Sequence, residues 1–266
     1  VSPDGRLYTF KLKQGVKFCD GKPMTAKDVV YSINRWIDPA TRSPSRWRAG
    51  QVKEVRAVDD YTVEYELKEP FSELLLQLTM YFASIVDQGA VEKLGQNFGV
   101  QGFNGTGPYC WGSWTPRQDL VLNRHDGYNW GPPIYKNPSP QIGKVIWRVM
   151  PEANTRLAAL QTGQADVTQD IPLFAIEGLK KVPTVKLTQQ PVYFWDVFVG
   201  FKVDKPVVSD PAIREAVNMA VNRAPIAKAV YFDAASPADA LLNPKVQDFN
   251  PATLKEQPKF DIEGAK

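Results

Sequence analysis

The stretch GTGPYCWGSWTPRQDLVLNRHDGYNWG, residues 105–131, holds a glycine pair, three tryptophans, the only histidine of the chain and one of its two cysteines. Tyr109 and Trp111 precede the turn TPRQ, and alternating leucines follow it, so the pattern predicts a β-hairpin. A dinucleotide-binding loop is excluded, because Cys110 occupies the third glycine position and a strand, not a helix, follows.

The histidine and the cysteines of the chain offer little for metal binding or catalysis. His125 has no second histidine to pair with, so we expect it to be an exposed polar residue in a turn and not a metal ligand. A serine–histidine pair would have to use this same residue, and no GxSxG motif supports one. Cys19 and Cys110 could bridge, but the sequence does not require it. We expect unpaired, partly buried thiols in preference to a disulfide.

The bulk composition is typical of a soluble globular protein. The chain has 266 residues, of which 43% are hydrophobic and 23% charged, and its net charge is +3. No apolar run approaches the ~20 residues that a membrane-spanning helix needs. Lysine and arginine are scattered along the chain, which argues against a nucleic-acid partner.

Strand and helix patterns alternate on the N-terminal side of the central stretch. RLYTFKLKQGVKF predicts a hairpin that turns at Gln14-Gly15, and Thr25 with Asp28 predicts a capping box for a helix ending before Pro39. VKEVRAVDDYTVEYELKEP predicts two strands around a turn. FSELLLQLTMYF is apolar nearly all round, which predicts a buried helix.

The C-terminal side mixes both element types as well. KVIWRVMP predicts a strand, ANTRLAALQTG a helix that ends before Gly163, and SDPAIREAVNMAVNRAPIAKAVY two short helices. VKLTQQPVYFWDVFVGFKV predicts a long strand region. Because side chains alternate along a strand, its aromatics cannot all face one core, and some must lie at a cleft or a domain surface. The mixture without a regular βαβ order predicts a mixed α/β (α+β) fold.

Five motifs, in this order, carry a resemblance to a known family. They are YTFKLKQGVKFCDGKPMTAKDVVYSINRWIDP, VRAVDDYTVEYELKEP, the 105–131 stretch, VIWRVMPEANTRLAALQTGQADV and VGFKVDKPVVSDPAIREAVNMAVNR. The succession resembles the extracellular solute-binding proteins of family 5, the peptide-, nickel- and oligopeptide-binding components of bacterial ABC importers. Cys19 and Cys110 depart from the residues usual in that family, without affecting the fold assignment.

The resemblance implies a fold and a division of the chain. The fold would be the two-lobed, periplasmic-binding-protein-like fold of the large peptide-binding type, incomplete here because family members are much longer. Residues 1–104 would form an inserted subdomain of lobe one, residues 105–199 the central part of lobe one, and residues 200–266 the start of lobe two. The chain would thus be an internal fragment of a precursor that carries a signal peptide. The 105–131 stretch would have a structural role and would be neither a phosphate-binding loop nor a metal site.

The resemblance also implies a function. The protein would be a receptor that captures a peptide or similar small solute between two lobes and delivers it to ABC permease subunits in the membrane. It would be periplasmic, or extracytoplasmic and lipid-anchored, and would have no enzymatic activity, cofactor or metal. The alternatives are a cell-envelope interaction or chaperone-like module that kept the fold and, with less support because no catalytic motif is present, a hydrolase.

Ligand-binding residues are carried over from the family position by position. The expected roles are stacking and apolar cover by aromatic side chains, and charge-assisted hydrogen bonds from Arg46 or Asp196. The positions that match cleft-facing regions are Arg46, Trp47, Tyr81, Phe82, Ser84, Trp195, Asp196 and Phe198.

Overall fold

The computed structural model divides the chain into two compact units, Val1–Val149 and Met150–Lys266. These units are defined by compactness, so the three-part division at residues 104 and 199 stays a prediction. The structure describes residues 1–189, 197–232, 234–238, 240, 242–255 and 258–266.

The described residues form six strands and eight α-helices, joined by short 3₁₀ turns. The strands are β1 (Leu7–Lys11), β2 (Val52–Asp59), β3 (Thr62–Leu67), β4 (Tyr109–Thr115), β5 (Asp119–Arg124) and β6 (Lys144–Arg148). The helices are α1 (Ala26–Ile37), α2 (Leu74–Leu78), α3 (Gln88–Leu94), α4 (Ala153–Gln161), α5 (Ile176–Leu179), α6 (Pro211–Ala220), α7 (Arg223–Tyr231) and α8 (Ile262–Ala265). Within this described part, no helix has the length and apolarity needed to cross a membrane.

The first sheet is antiparallel, with the strand order β1-β3-β2. Its central strand, β3, buries Val63, Tyr65 and Leu67 on one face, as the alternation predicts. The predicted hairpin after Gln14-Gly15 is wrong, because β1 pairs with β3 and the next segment forms only a bridge between Lys17 and Pro23. Strand β3 is buried along most of its length, so it gives β1 a longer pairing partner than the short Val16–Phe18 segment does.

Helix α1 covers this sheet and begins and ends where the sequence predicts. The capping box is present, with the Asp28 carboxylate accepting the backbone N–H of Thr25 at 2.8 Å. The helix ends at Ile37, before Asp38-Pro39. Its apolar face packs Ile33 and Trp36 into the core that the sheet provides.

The prediction of a buried helix over residues 71–82 is wrong. Only five residues, Leu74–Leu78, are helical, and this short helix leaves Leu75 and Leu76 exposed. A helix of little more than one turn can direct only part of such an apolar run toward the core. Leu74 and Gln77 are the residues of the helix that are buried.

The second sheet is antiparallel as well, with the order β4-β5-β6, and it confirms the hairpin predicted from the 105–131 stretch. Its register shifts between Trp111 and Ser113. A Cβ atom at Gly112 would lie 2.7 Å from the carbonyl oxygen of Val121, so only glycine fits this irregular position.

Within the second unit, helices α4, α6 and α7 form as predicted, and Gly163 follows α4 with φ +72°. Helix α8 packs on α6, and the N–H of Asp261 donates to the carbonyl oxygen of Met219. The long strand predicted over residues 185–203 is wrong for its described parts, 185–189 and 197–203, which form no strand.

A partly buried ion cluster joins the Cys19 turn to helices α1 and α3. Lys22 Nζ donates to Asp87 Oδ1 at 2.5 Å and lies 3.6 Å from Asp28 Oδ1. Burial raises the pKa of Asp87, but hydrogen bonds from Lys22, from the N–H of Ala90 and from Asn104 outweigh it, so the net shift is downward. Asp87 also caps α3, so one carboxylate stabilises both the helix and the turn.

Candidate functional site

An exposed aromatic cluster lies beside α2 in the first unit. Its members are Trp47, Arg48, Tyr81 and Phe82. The guanidinium of Arg48 lies 4.3 Å from the ring centroid of Trp47 and 5.3 Å from that of Phe82. Phe82 meets Tyr81 edge-on at 5.4 Å and packs against Trp36 of the core at 5.5 Å. The cluster is therefore a continuous row of rings and one cation, rooted in the core at Phe82.

The loop that carries Trp47 is held at both ends by buried groups. Trp36 Nε1 donates to Ser45 Oγ at 3.0 Å, and the Tyr65 hydroxyl donates to the carbonyl oxygen of Ala49 at 2.6 Å. Burial raises the pKa of Tyr65, which keeps this hydroxyl a proton donor. Gly50 follows with φ +72°, and a Cβ there would lie 2.9 Å from Phe71 Cδ1. The loop thus presents Trp47 from a fixed backbone.

The outer rings of the cluster are exposed to solvent. Trp47 is 64% exposed and Tyr81 is 84% exposed, and Leu76 of the adjoining α2 is 66% exposed. Large aromatic side chains more often lose this much surface to a core, and contiguous apolar exposure marks interaction surfaces. The arrangement can stack on a planar or apolar group while Arg48 supplies a nearby positive charge.

Arg46 lines a different surface from most of the cluster. It contributes, with Trp47, to an open cavity of about 850 Å³ whose other walls include Lys68, Glu69 and Phe71. The Arg46 side chain is exposed, and no salt bridge to it forms among the residues that the structure describes. It is therefore available to bind an anionic group at the edge of the cluster.

The remaining predicted site residues fall in separate places. The Ser84 hydroxyl donates to the carbonyl oxygen of Tyr81 at 2.6 Å, so its proton closes the turn that presents Tyr81. Phe198 belongs to the second unit and is 73% exposed. Trp195 and Asp196 lie outside the described residues. The structure thus brings Trp47, Tyr81 and Phe82 together, with Arg46 alongside.

Sequence reasoning missed Arg48, which links the rings of the cluster. It also donates from Nη1 to Gln77 Oε1 at 3.0 Å and so fixes α2 beside the Trp47 loop. The pattern Arg46-Trp47-Arg48 was the available signal. In a tight turn, two arginines that flank a tryptophan point to different sides, and only one can lie over the ring. The sequence does not say which one.

A second site, the cysteine–histidine joint, comprises Cys19, Cys110 and His125. The expectation of unpaired thiols is wrong, because Cys19 and Cys110 form a disulfide with their Cα atoms 5.7 Å apart. The fold brings the turn after β1 beside the start of β4, and the N–H of Cys19 donates to the carbonyl oxygen of Gly105 at 3.1 Å. Sequence spacing alone gave no measure of this proximity.

His125 is buried, so its expected place as an exposed turn residue is wrong. It is only 7% exposed, and its ring packs edge-on to Trp130 at 5.3 Å. Its Nδ1 lies 2.9 Å from the carbonyl oxygen of Gly107 and 3.9 Å from Cys19 Sγ. Because a carbonyl only accepts, Nδ1 carries a proton here.

The joint gathers three residues of types that can ligate a metal ion. In the described part of the chain, it is the only group of at least three potential ligands whose ligand atoms come close together, within 4.8 Å. The closed disulfide leaves no thiolate, so His125 Nε2 would be the single ligand left, and the donor set does not fit a metal in this state.

Comparisons with known proteins concern the family and the fold of the whole chain. The glutathione-binding protein GsiB of Escherichia coli strain K12 is 31% identical over 246 residues, which cover 92% of this chain and 46% of that protein. The periplasmic binding protein DppA of Helicobacter pylori, solved with the peptide STSA, is 27% identical with a TM-score of 0.78. That match covers all of this chain (100%) and 54% of DppA.

A more distant structure supports the fold alone. NikZ of Campylobacter jejuni, solved with Ni(L-His), is 20% identical with a TM-score of 0.79, and the match covers 100% of this chain and 51% of NikZ. The chain therefore spans about half the length of the relatives it matches. The relatives GsiB and DppA are described as binding proteins and not as enzymes. The predicted mixed α/β fold is confirmed as that of periplasmic binding proteins.

The family model for bacterial extracellular solute-binding proteins, family 5 Middle, matches residues 1–266. This match extends over every motif from which the resemblance was predicted. The chain belongs to the bacterial extracellular solute-binding proteins of family 5.

Proposed function

We propose that the protein is the solute-binding receptor of an ABC import system and captures a peptide or similar small solute between two lobes. Family membership supports this proposal, as do a relative named for binding glutathione and a relative solved with the peptide STSA. Delivery of the solute to permease subunits, and a periplasmic or lipid-anchored location, follow from the same proposal. The division into residues 1–104, 105–199 and 200–266 belongs to it as well.

The observation that carries the proposal is the exposed aromatic cluster. Its anchors, the bonds from Trp36 to Ser45 and from Tyr65 to Ala49, are buried or partly buried and internally satisfied, whereas its outer rings face solvent. A rigid apolar surface that keeps its shape without a ligand lowers the entropic cost of binding one. We assign the cluster to one wall of the solute site.

The polar part of the site follows from the charges beside the rings. Arg46 has no salt bridge in the described part of the chain, and Arg48 already contacts two rings and Gln77. Of these two arginines, Arg46 is thus the one available to pair with a carboxylate, such as a peptide C-terminus. Ser84 offers acceptor lone pairs, and Trp195, Asp196 and Phe198 stay proposed ligand-binding residues.

Binding without turnover is the test of this function. The full-length protein is incubated with a pool of di- to hexapeptides plus glutathione, and bound and free compounds are followed by mass spectrometry. We expect selective retention of one class of compound, recovered chemically unchanged. Catalytic loss of any compound would contradict the proposal, and so would the absence of any retained compound.

A further inference from the structure

The cysteine–histidine joint lies at the wall of an open cavity of about 570 Å³ in the first unit. Both cysteines are half-buried, and both line the cavity together with His125. Lys17, Arg124 and Asp126 also line it, so the charged groups at its wall have a small positive excess. A small anionic molecule can therefore approach the disulfide without entering the protein core.

The two sulfur atoms of the disulfide have different surroundings. Cys19 Sγ lies 3.9 Å from His125 Nδ1, which carries a proton because it also donates to the Gly107 carbonyl. Cys110 Sγ lies within 4.8 Å of a His125 nitrogen as well, but among the described residues it makes no hydrogen-bond contact with this ring. A sulfur that leaves as a thiolate is stabilised by a nearby N–H donor or positive charge, and the better-stabilised thiolate is the better leaving group.

We propose that the Cys19–Cys110 disulfide is a site of thiol–disulfide exchange with a fixed direction. A small anionic thiolate enters the cavity and forms a new S–S bond with Cys110 Sγ. The Cys19–Cys110 bond breaks at the same time, and its electron pair leaves on Cys19 Sγ, which His125 Nδ1–H stabilises. One disulfide is consumed and one is formed, so the step needs no other oxidant or reductant.

The surrounding contacts make the exchange reversible. Three hydrogen bonds independent of the disulfide hold the joint: Cys19 N–H to the Gly105 carbonyl at 3.1 Å, His125 N–H to the Pro108 carbonyl at 2.9 Å, and Trp130 Nε1 to the Thr106 carbonyl at 2.8 Å. They keep the Cys19 thiolate close to Cys110 after opening. It can then attack Cys110 Sγ again and expel the small thiolate.

The exchange does not depend on which solute the protein binds, so its test can fail independently of the proposed function. The oxidised full-length protein is incubated with glutathione as the probe, quenched with iodoacetamide, digested and mapped by mass spectrometry. We expect the glutathione adduct on Cys110 and the alkyl group on Cys19, with at least about a tenfold excess over the reverse pattern. An even split, the reverse pattern, or no opening while the protein stays folded would overturn the proposal.

Two variants of the histidine distinguish its proton donation from its packing. His125→Asn keeps an N–H donor near the Nδ1 position, and His125→Phe keeps an aromatic ring against Trp130 but removes the donor. We expect the asparagine variant to retain the preference for Cys110 and the phenylalanine variant to lose it, with opening about tenfold slower. Equal behaviour of the two variants would show that His125 acts only through packing, and would overturn its assigned role.

Discussion

The aromatic cluster and the cysteine–histidine joint both gather aromatic rings around a polar side chain, yet they differ in what their surroundings complete. At the joint, the ring of His125 packs against that of the neighbouring Trp130, whose N–H donates to the Thr106 carbonyl. The disulfide links the two cysteines. In the cluster, only Phe82 is rooted in the core, and Trp47 and Tyr81 face solvent. The joint satisfies its own groups, whereas the cluster has apolar surface left for a partner.

The largest expected effect comes from a variant that breaks the joint and leaves the cluster intact. The double variant Cys19→Ser, Cys110→Ser releases a cross-link between residues 91 positions apart. We expect the free energy of unfolding to fall by about 4–5 kcal/mol, because the cross-link restricts the unfolded chain. Chemical denaturation of the full-length protein measures this loss.

The same variant should bind solute as the wild type does, at temperatures where it stays folded. The cluster is anchored through Trp36, Tyr65 and Phe82, which belong to the core of the first sheet, whereas the disulfide lies outside that core. Wild-type protein reduced with a phosphine is the matched control. A parallel loss of solute affinity would show that the two regions are not independent.

A smaller effect is expected from removing one anchor of the cluster. Tyr65→Phe leaves the Ala49 carbonyl oxygen buried without its donor, which should lower the free energy of unfolding by about 1–3 kcal/mol. Tyr135→Phe, at an exposed position, is the control and should change little. Denaturation midpoints of the two variants compare them directly, and equal midpoints would show that the Tyr65 hydrogen bond does not anchor the loop.

Removing an outer ring of the aromatic cluster should lower the affinity for the solute and leave the free energy of unfolding nearly unchanged. Trp47→Ala should weaken solute binding by about 2- to 12-fold, equivalent to the ~0.5–1.5 kcal/mol of one aromatic pair. Trp147→Ala removes a similarly exposed ring from β6, 58% exposed, and should not change affinity. Calorimetry with a compound retained from the peptide pool measures both. Equally weakened solute binding in the two variants would show that the aromatic cluster is not part of the solute site.

The smallest expected effect concerns the ion cluster beside the joint. Because the folded pKa of Asp87 is below its ordinary value of 3.8, its charge stabilises the fold at higher pH, and this contribution is lost as the pH falls through the folded pKa. Asp87→Asn keeps the helix cap and removes the charge.

At pH 7 the Asp87→Asn variant should be about 0.2–1 kcal/mol less stable than the wild type, since Lys22 is half-exposed. The difference should vanish as the pH falls below the folded pKa of Asp87. Asp126→Asn, at an exposed ion pair, should show no such convergence. A constant difference between wild type and Asp87→Asn across the acid range would contradict the assigned charge effect.

Local patterns in the sequence predicted much of the fold. The hairpins β2–β3 and β4–β5, the capping box of α1 and the stop before Pro39 depend on neighbouring residues, and all of them formed. The predictions that were wrong depend on contacts between distant segments. β1 pairs with β3 across some fifty residues and not with its neighbour, and Cys19 meets Cys110 only after the chain has folded.

The candidate site was predictable only in part for the same reason. Family resemblance pointed to Trp47, Tyr81 and Phe82, which the structure brings together. The role of Arg48 and the burial of His125 depend on which side chain a turn directs inward, and sequence spacing does not determine that. The exposure of α2 likewise depends on how short the helix is.

Oxidative footprinting of the full-length protein tests the central claim most directly. Side-chain oxidation of Trp47, Tyr81 and Trp147 is followed by mass spectrometry with and without a saturating concentration of a retained compound. If the cluster is one wall of the solute site, oxidation of Trp47 and Tyr81 falls when the compound is bound, while oxidation of Trp147 stays unchanged. Oxidation of Trp47 and Tyr81 that stays as high as in the free protein, with the compound demonstrably bound, would contradict the claim.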